Sequence, residues 1–252
     1  MSIDHLKEIL KTDSSYINNL IIMSNNINGL FNDDKRKLLS KYIKTVNVEI
    51  ILLQEIHDNK YLNKGEFLQF KKYYSIESEK KWGVAILIKS NSQLKIEEII
   101  KDEIGCLIAI KGNINNEKLL ICSIYLPHNL LAAFQTIDKL KQIVSNNTNR
   151  KVIIGGDFNF EVKQDTRGYK NKVRNYYNKK IEHLLEDAKT EKNSLSTINF
   201  THTQYQNYTQ TSIDRILINS NLSDQITFHY VSSTAISDHN PIFIGVKIHQ
   251  ID

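Results

Sequence analysis

Proline occurs twice in 252 residues and no glycine- or serine-rich stretch interrupts the chain, so nothing marks a linker between domains. A chain of this length buries a sizeable core as one α/β unit, and one domain over residues 1–252 is expected, with residues 1–18 as an N-terminal extension. Cysteine is equally scarce. Cys106 and Cys122 lie in the apolar runs CLIAI and LLICSIY, the setting of buried reduced thiols rather than of a disulfide or a metal pair. Long apolar runs are missing too: the longest, such as residues 48–53 and 84–88, are strand-sized, against the roughly 20 residues a membrane span needs. The start, MSIDHLKEILKTDSSY, is charged and amphipathic and lacks the apolar stretch and small-residue cleavage site of a secretory signal. An intracellular protein without a membrane partner is expected. Repeats and low-complexity blocks are absent.

What is present is a modest excess of positive charge, +5 with a sequence pI near 8.9, its lysines spread among many asparagines rather than gathered in blocks. That distribution suits a polyanionic ligand without requiring one. Strand-like runs recur at 20–24, 49–53, 84–89, 107–111, 119–126, 152–154, 213–218 and 242–248. Helical periodicity separates several of them. In KRKLLSKYIKTV, Leu38, Leu39, Tyr42, Ile43 and Val46 share a face, and in LLAAFQTIDKLKQIV, Leu130, Phe134, Ile137, Leu140 and Val144 do. A third helix is expected in VRNYYNKKIEHLLEDA. The order reads as a mixed α/β sandwich.

Polar residues capable of chemistry follow these strands: Asn26 after IIMS, Glu55 after ILLQ, Tyr125 after CSI, and Asp157 and Asn159 after VIIGG. Ligands of open α/β sheets gather at such strand ends, where a rigid sheet aims side chains into a crevice. The glycines of VIIGGDFN are expected to turn the chain sharply there. Each signal has a plainer alternative: GGDFN as a strand cap, Gln54-Glu55 as the first solvated position after a buried run, and Ser237-Asp238-His239 as an Asx turn.

The series NNINGL, LLQEIH, WGVAILIK, IYLPHN, GGDFN, SIDRIL and SDHNPI, spanning residues 25–242 in that order, resembles the endonuclease/exonuclease/phosphatase superfamily. The likeness covers about residues 20–248. Within it, NINGL followed by Lys35-Arg36 is most similar to the endonuclease domain of LINE-type non-LTR retrotransposons. The resemblance implies a DNase I-like fold, a four-layered α/β sandwich of two packed mixed β-sheets flanked by helices. It also implies a phosphodiester hydrolase that nicks DNA and leaves a 3′-hydroxyl.

Residue by residue, the resemblance implies Glu55 as leading metal ligand with Asn26 beside it, and Asp238 completing the acidic cluster. Asp214 and His239 would form a carboxylate–imidazole pair. Asp157 would orient or deprotonate water, Asn159 would donate to the phosphate, and Tyr125 would donate near the phosphate or leaving group. Hard oxygen donors suit Mg²⁺, with Mn²⁺ as its stand-in. Arg167, Thr201 and Thr211 fall where LINE-type enzymes contact DNA. DNA is the expected partner, a reverse transcriptase in the same polyprotein a further one, and a nuclear, monomeric domain the expected state.

Several residues stay ambiguous at this stage. Tyr205, Tyr208 and KNKVRNYYNKK mix cations with aromatics, a composition suited to phosphate contact and equally to a solvated helix face. Trp82 reads as a packing anchor, and His57 and His128 as surface loop residues. Two departures bear on the alternatives. Asn28 stands where AP endonucleases carry Asp, and Thr211-Ser212-Ile213 replaces their bulky aromatics. SIDRIL lacks the Trp-Cys preceding Asp-Arg in inositol phosphatases. An AP endonuclease or exonuclease, an inositol or phospholipid phosphatase, and a catalytically inert binder remain the alternatives to a nicking enzyme.

Overall fold

The computed structural model describes residues 3–12, 16, 19–77, 82–161, 168–190, 193–195, 200–204, 209–233 and 236–248. Its strands in chain order are β1 (Asn19–Asn26), β2 (Ile50–Gln54), β3 (Phe70–Ser75), β4 (Val84–Lys89), β5 (Lys95–Lys101), β6 (Leu107–Ile114), β7 (Glu117–Tyr125), β8 (Lys151–Asp157), β9 (Glu186–Asp187), β10 (His202–Gln204), β11 (Thr209–Thr211), β12 (Asp214–Ile218), β13 (Ile226–Val231) and β14 (Ile242–Lys247). The helices are α1 (Ile3–Thr12), α2 (Asp33–Thr45), α3 (Leu130–Ser145) and α4 (Tyr169–Lys180). Among the described residues, no helix is long and apolar enough to cross a membrane.

Two six-stranded mixed sheets, ordered β13-β14-β1-β2-β4-β3 and β5-β6-β7-β8-β12-β9, lie face to face, and β10-β11 forms a small ribbon. The period-2 alternation along each strand explains the layering. In β1 and β2, Leu20, Ile22, Ile50 and Leu52 face the other sheet and meet Ile121, Ile153 and Ile216. Their neighbours Met23, Ile51 and Leu53 face outward, under Leu39 and Ile43 of α2 and Leu6 of α1. On the far side, Leu120, Cys122, Ile124 and Ile154 pack beneath Ile137 and Leu140 of α3 and Tyr177 of α4. Three apolar layers thus separate four structural ones. Both cysteines are buried, Cys106 in the layer between the sheets and Cys122 in the layer under α3.

Two expectations need correction. The glycines of GGDFN do not turn the chain: β8 runs through both of them to Asp157, and neither has a positive φ. They serve close approach. A Cβ on Gly155 would stand 2.6 Å from Leu52 Cδ1 and 2.8 Å from Ser24 Cβ of the opposite sheet, and one on Gly156 would stand 2.1 Å from the Ile124 carbonyl oxygen. The third helix begins earlier and ends sooner than its pattern suggests. It stops at Lys180, and Glu186–Asp187 pairs with Leu217 and Ile218 as a short edge strand.

Candidate active site

One edge of the sandwich collects the chemistry because of strand direction. The parallel strands β1, β2, β7 and β8 deliver their C-terminal ends there, and antiparallel β12 and β14 begin there, with Asn26 beside Gln54, Tyr125 beside Asp157, and Asp157 opposite Asp214. Beneath this edge the two sheets are joined by a buried polar link. Gln54 Nε2 donates to Ser123 Oγ at 3.0 Å, and Ser123 Oγ donates to the Leu53 carbonyl at 2.9 Å.

Asn26 ties the sheets together at the site. Its amide nitrogen donates to Glu55 Oε1 at 2.8 Å and to Asp157 Oδ2 at 2.9 Å, while its oxygen accepts from the Asn28 N–H at 3.0 Å. Asn26 therefore turns nitrogen, not oxygen, toward the carboxylates, and in this arrangement it orients Glu55. The loop that follows is pinned from α2. Lys35 Nζ donates to the carbonyls of Ile27 and Asn28 at 2.8 and 3.0 Å, and buried Arg36 donates to those of Leu30 and Phe31 and to Asp33. The Lys-Arg that follows NINGL is thus a clamp on its backbone.

Four residues here take left-handed backbone: Asn28 (φ 44), Glu55 (φ 51), His57 (φ 60) and Asn159 (φ 56). Asn tolerates this conformation, whereas Glu and His do so at a cost that the surrounding contacts must offset. At Glu55 they are His57 Nε2 at 3.5 Å from Oε2, Asn26, and the Tyr125 hydroxyl. Burial pushes the Glu55 carboxyl upward, but these three hydrogen bonds outweigh it, and the group stays ionised below its ordinary range. His57 accordingly belongs to the crevice and not to an outlying loop. His128 is exposed, as expected of a surface loop residue, its ring 5.7 Å from that of Tyr169.

Asp157 is buried, accepts from the Asn159 N–H at 2.8 Å, and is pushed well above the usual carboxylate range by burial and then by the Asp214 charge. Tyr125 is likewise raised, by burial and by Glu55 and Asp157, so its hydroxyl keeps its proton. Asn159 spends one amide hydrogen on the Leu126 carbonyl at 2.8 Å and also reaches the Tyr125 hydroxyl. His239 Nδ1 lies 2.8 and 3.0 Å from the two Asp214 oxygens. Burial disfavours its charge, but Asp214, with Asp157 and Asp238 behind it, overcomes that and lifts the imidazole to about 10. The direct partners of Asp238 are Ser237 Oγ at 3.0 Å, Asn28 Nδ2 at 3.5 Å and His202 Nε2 at 3.8 Å.

Of the expected DNA contacts, Thr201 is buried and its hydroxyl accepts from the Asp214 N–H at 3.0 Å, so it works within the protein. Thr211 is partly exposed and its hydroxyl meets His202 Nδ1 at 3.2 Å. Arg167, Tyr205 and Tyr208 lie outside the described residues. The basic run is the α4 helix, with Val173 and Tyr177 buried and Tyr176 stacked on Phe134 at 4.1 Å. Trp82 packs against the inter-sheet core and donates to the Ile104 carbonyl at 2.7 Å.

Sequence reasoning missed His202. It sits opposite His239 in an antiparallel bridge, ring centroids 4.6 Å apart, and burial with the neighbouring imidazolium keeps it neutral. Its one sequence signal is adjacency to Thr201; the rest is tertiary. Two groups bring three potential metal-donor atoms within 4.8 Å of one another: Asp157, Asp214 and His239, and His202, Asp238 and His239.

Two packed mixed sheets with acids, an amide and a carboxylate–imidazole pair on one shared edge define a DNase I-like hydrolase scaffold. A profile of the Endonuclease/Exonuclease/phosphatase family matches residues 23–239, and the chain belongs to that family. Solved structures agree on the fold. The endonuclease/exonuclease/phosphatase from Bacteroides vulgatus superposes with a TM-score of 0.73 at 14% identity, covering 92% of this chain and 99% of that one. An AP endonuclease from Archaeoglobus fulgidus gives 0.69 at 18%, covering 91% and 100%. The endonuclease domain of TRAS1, a telomere-specific non-LTR retrotransposon, gives 0.66 at 14%, covering 91% and 99%. Membership supports an enzyme that uses a divalent metal.

Proposed function

We propose that this protein is a Mg²⁺-dependent DNA endonuclease that hydrolyses a phosphodiester and leaves a 3′-hydroxyl, as LINE-type retrotransposition requires. The observation that carries the reading is the hydrogen-bonded chain Glu55–Asn26–Asp157 meeting the Asp214–His239 pair on one edge. Glu55, ionised and reachable at 22% side-chain exposure, offers hard oxygen to Mg²⁺ or Mn²⁺. Such an ion, when bound, supplies charge neutralisation for the phosphoryl oxygens.

The protein's own groups then divide the work. Asp157, made more basic by burial, takes the proton of the attacking water. His239 holds its positive charge toward the scissile phosphate, and Asp214 keeps the imidazole oriented through Nδ1. Tyr125, still protonated, donates to the phosphate or to the departing 3′-oxygen, and Asn159 uses its second amide hydrogen beside it. Thr211 and Arg167 are candidates for the flanking DNA backbone, and a reverse transcriptase fused to this domain would extend the 3′-hydroxyl.

The test is conversion of supercoiled plasmid to open circles with Mg²⁺, against EDTA and against Glu55→Gln. Nicking that EDTA abolishes and Glu55→Gln reduces by at least ~10²-fold is expected. No nicking by folded protein, with an abasic duplex also intact, would discard the nuclease and direct attention to phosphate monoesters of inositol and lipids.

A further inference from the structure

Beside the oxygen donors at Glu55 lies a set of different chemical character. Residues 200–204 cross the Ser-Asp-His loop as a short ribbon: the Thr203 N–H donates to the Asp238 carbonyl at 2.9 Å, the Asn240 N–H to the Thr201 carbonyl at 2.6 Å, and His202 bridges His239 between them. The backbone therefore sets two imidazoles and one carboxylate side by side. Each imidazole is also tied at Nδ1 by an oxygen, His239 by Asp214 at 2.8 Å and His202 by Thr211 Oγ1 at 3.2 Å. Nε2 is therefore the nitrogen each ring can offer to an ion, and the Nε2 of His202 already lies 3.8 Å from Asp238 Oδ2. Metal-binding histidines are characteristically held in this way, with the distal nitrogen hydrogen-bonded to an oxygen that sets tautomer and ring orientation.

We infer that His202, Asp238 and His239 form a transition-metal site of the Zn²⁺ class, distinct from the oxygen-donor locus at Glu55. Two imidazole nitrogens and one carboxylate are the donors that Zn²⁺, Co²⁺ and Ni²⁺ accept, whereas Mg²⁺ prefers oxygen and retained water. One potential donor atom from each of the three residues lies within 4.8 Å of the other two. A tetrahedral zinc needs them about 3.3 Å apart, so closure takes movements on the order of an ångström. The Asp238 and His202 side chains, 31% and 21% exposed, have room for that, and the same exposure lets an ion enter and leaves a coordination position open. An ion bound here displaces the Nε2 proton of His239 to solvent and holds that nitrogen. If the proposed nuclease reading is right, zinc-class ions therefore inhibit the Mg²⁺-supported reaction, and His202 is the residue that makes the enzyme sensitive.

Chelator-stripped protein titrated with Co²⁺ tests the site directly. The expected result is a visible d–d absorption band saturating at one equivalent, abolished by one equivalent of Zn²⁺, untouched by millimolar Mg²⁺, and shifted at least ~10-fold to higher Co²⁺ in His202→Ala. Thr211→Val, which leaves all three ligands in place, is expected to shift the titration in the same direction by less, and decides the matter should His202→Ala fail to fold. Unchanged Co²⁺ affinity in the folded variants would overturn the site, as would displacement of Co²⁺ by Mg²⁺. The absorption band is read whether or not plasmid is nicked, so failure of the site and failure of the nuclease reading are distinguishable. Where nicking occurs, relief of Zn²⁺ inhibition in His202→Ala is the corresponding kinetic result.

Discussion

His239 keeps its proton because three carboxylates surround it, and that proton links the site to stability. Its folded value near 10 stands above the ordinary 6.5. Below pH 6.5 the imidazole is protonated in folded and unfolded chains alike and the pair's contribution is whole. As pH rises toward 10 only the folded chain holds the proton, so the contribution is progressively lost. In metal-free buffer, the stability margin of the wild type over His239→Gln should therefore narrow steadily between pH 6.5 and 10, measured by urea denaturation at each pH. A margin that widens with pH would contradict the pairing. Of the residues at this scale, Glu55, Asp157, Asp214 and His239 were legible because each sits in a motif beside a strand. His202 and the clamping role of Lys35 were not, since both depend on loops that meet only in the folded chain.

At the scale of elements, the two glycines of β8 allow neighbouring backbone to come close, and they should differ in cost. Alanine at Gly155 meets the Leu52 side chain and Ser24, which can yield, whereas alanine at Gly156 meets a main-chain carbonyl, which cannot without parting β7 from β8. Gly155→Ala should destabilise by about 1–3 kcal/mol and Gly156→Ala by more, read as shifts in urea midpoint; equal shifts would show that the sheets flex more than the geometry implies. The same contrast between interior and edge governs what the sequence revealed. All eight strand runs found by periodicity are interior strands, β14, β1, β2 and β4 in one sheet and β6, β7, β8 and β12 in the other. Those missed, β3, β5, β9 and β13, are the four sheet edges, and β10 and β11 form the separate ribbon. Edge strands such as KIEEIIK and FKKYYS carry more charge than interior strands such as IILLQ and VAILIK, which protects against edge-to-edge pairing and hides the alternation. The α4 pattern overran for a related reason: the apolar residues after Lys180 pack into the same layer as the helix but do so from turns.

For the whole molecule, a net charge of +5 is the relevant quantity. If DNA is the substrate, each phosphate neutralised contributes about −0.9 to the slope of log K against log salt. With several contacts along the crevice, a slope steeper than about −2.7 is expected for duplex binding in Ca²⁺ or with Glu55→Gln. A slope near zero would remove DNA as the partner. The layered architecture has a consequence of another kind. Cys106 and Cys122 lie in different apolar layers, one between the sheets and one beneath α3. Neither meets solvent while the layers stay closed, so an alkylating reagent added to native protein reports only openings. Single-cysteine versions would record the two layers separately, and their labelling rates would tell whether the sandwich breathes as one body or sheds its helices first.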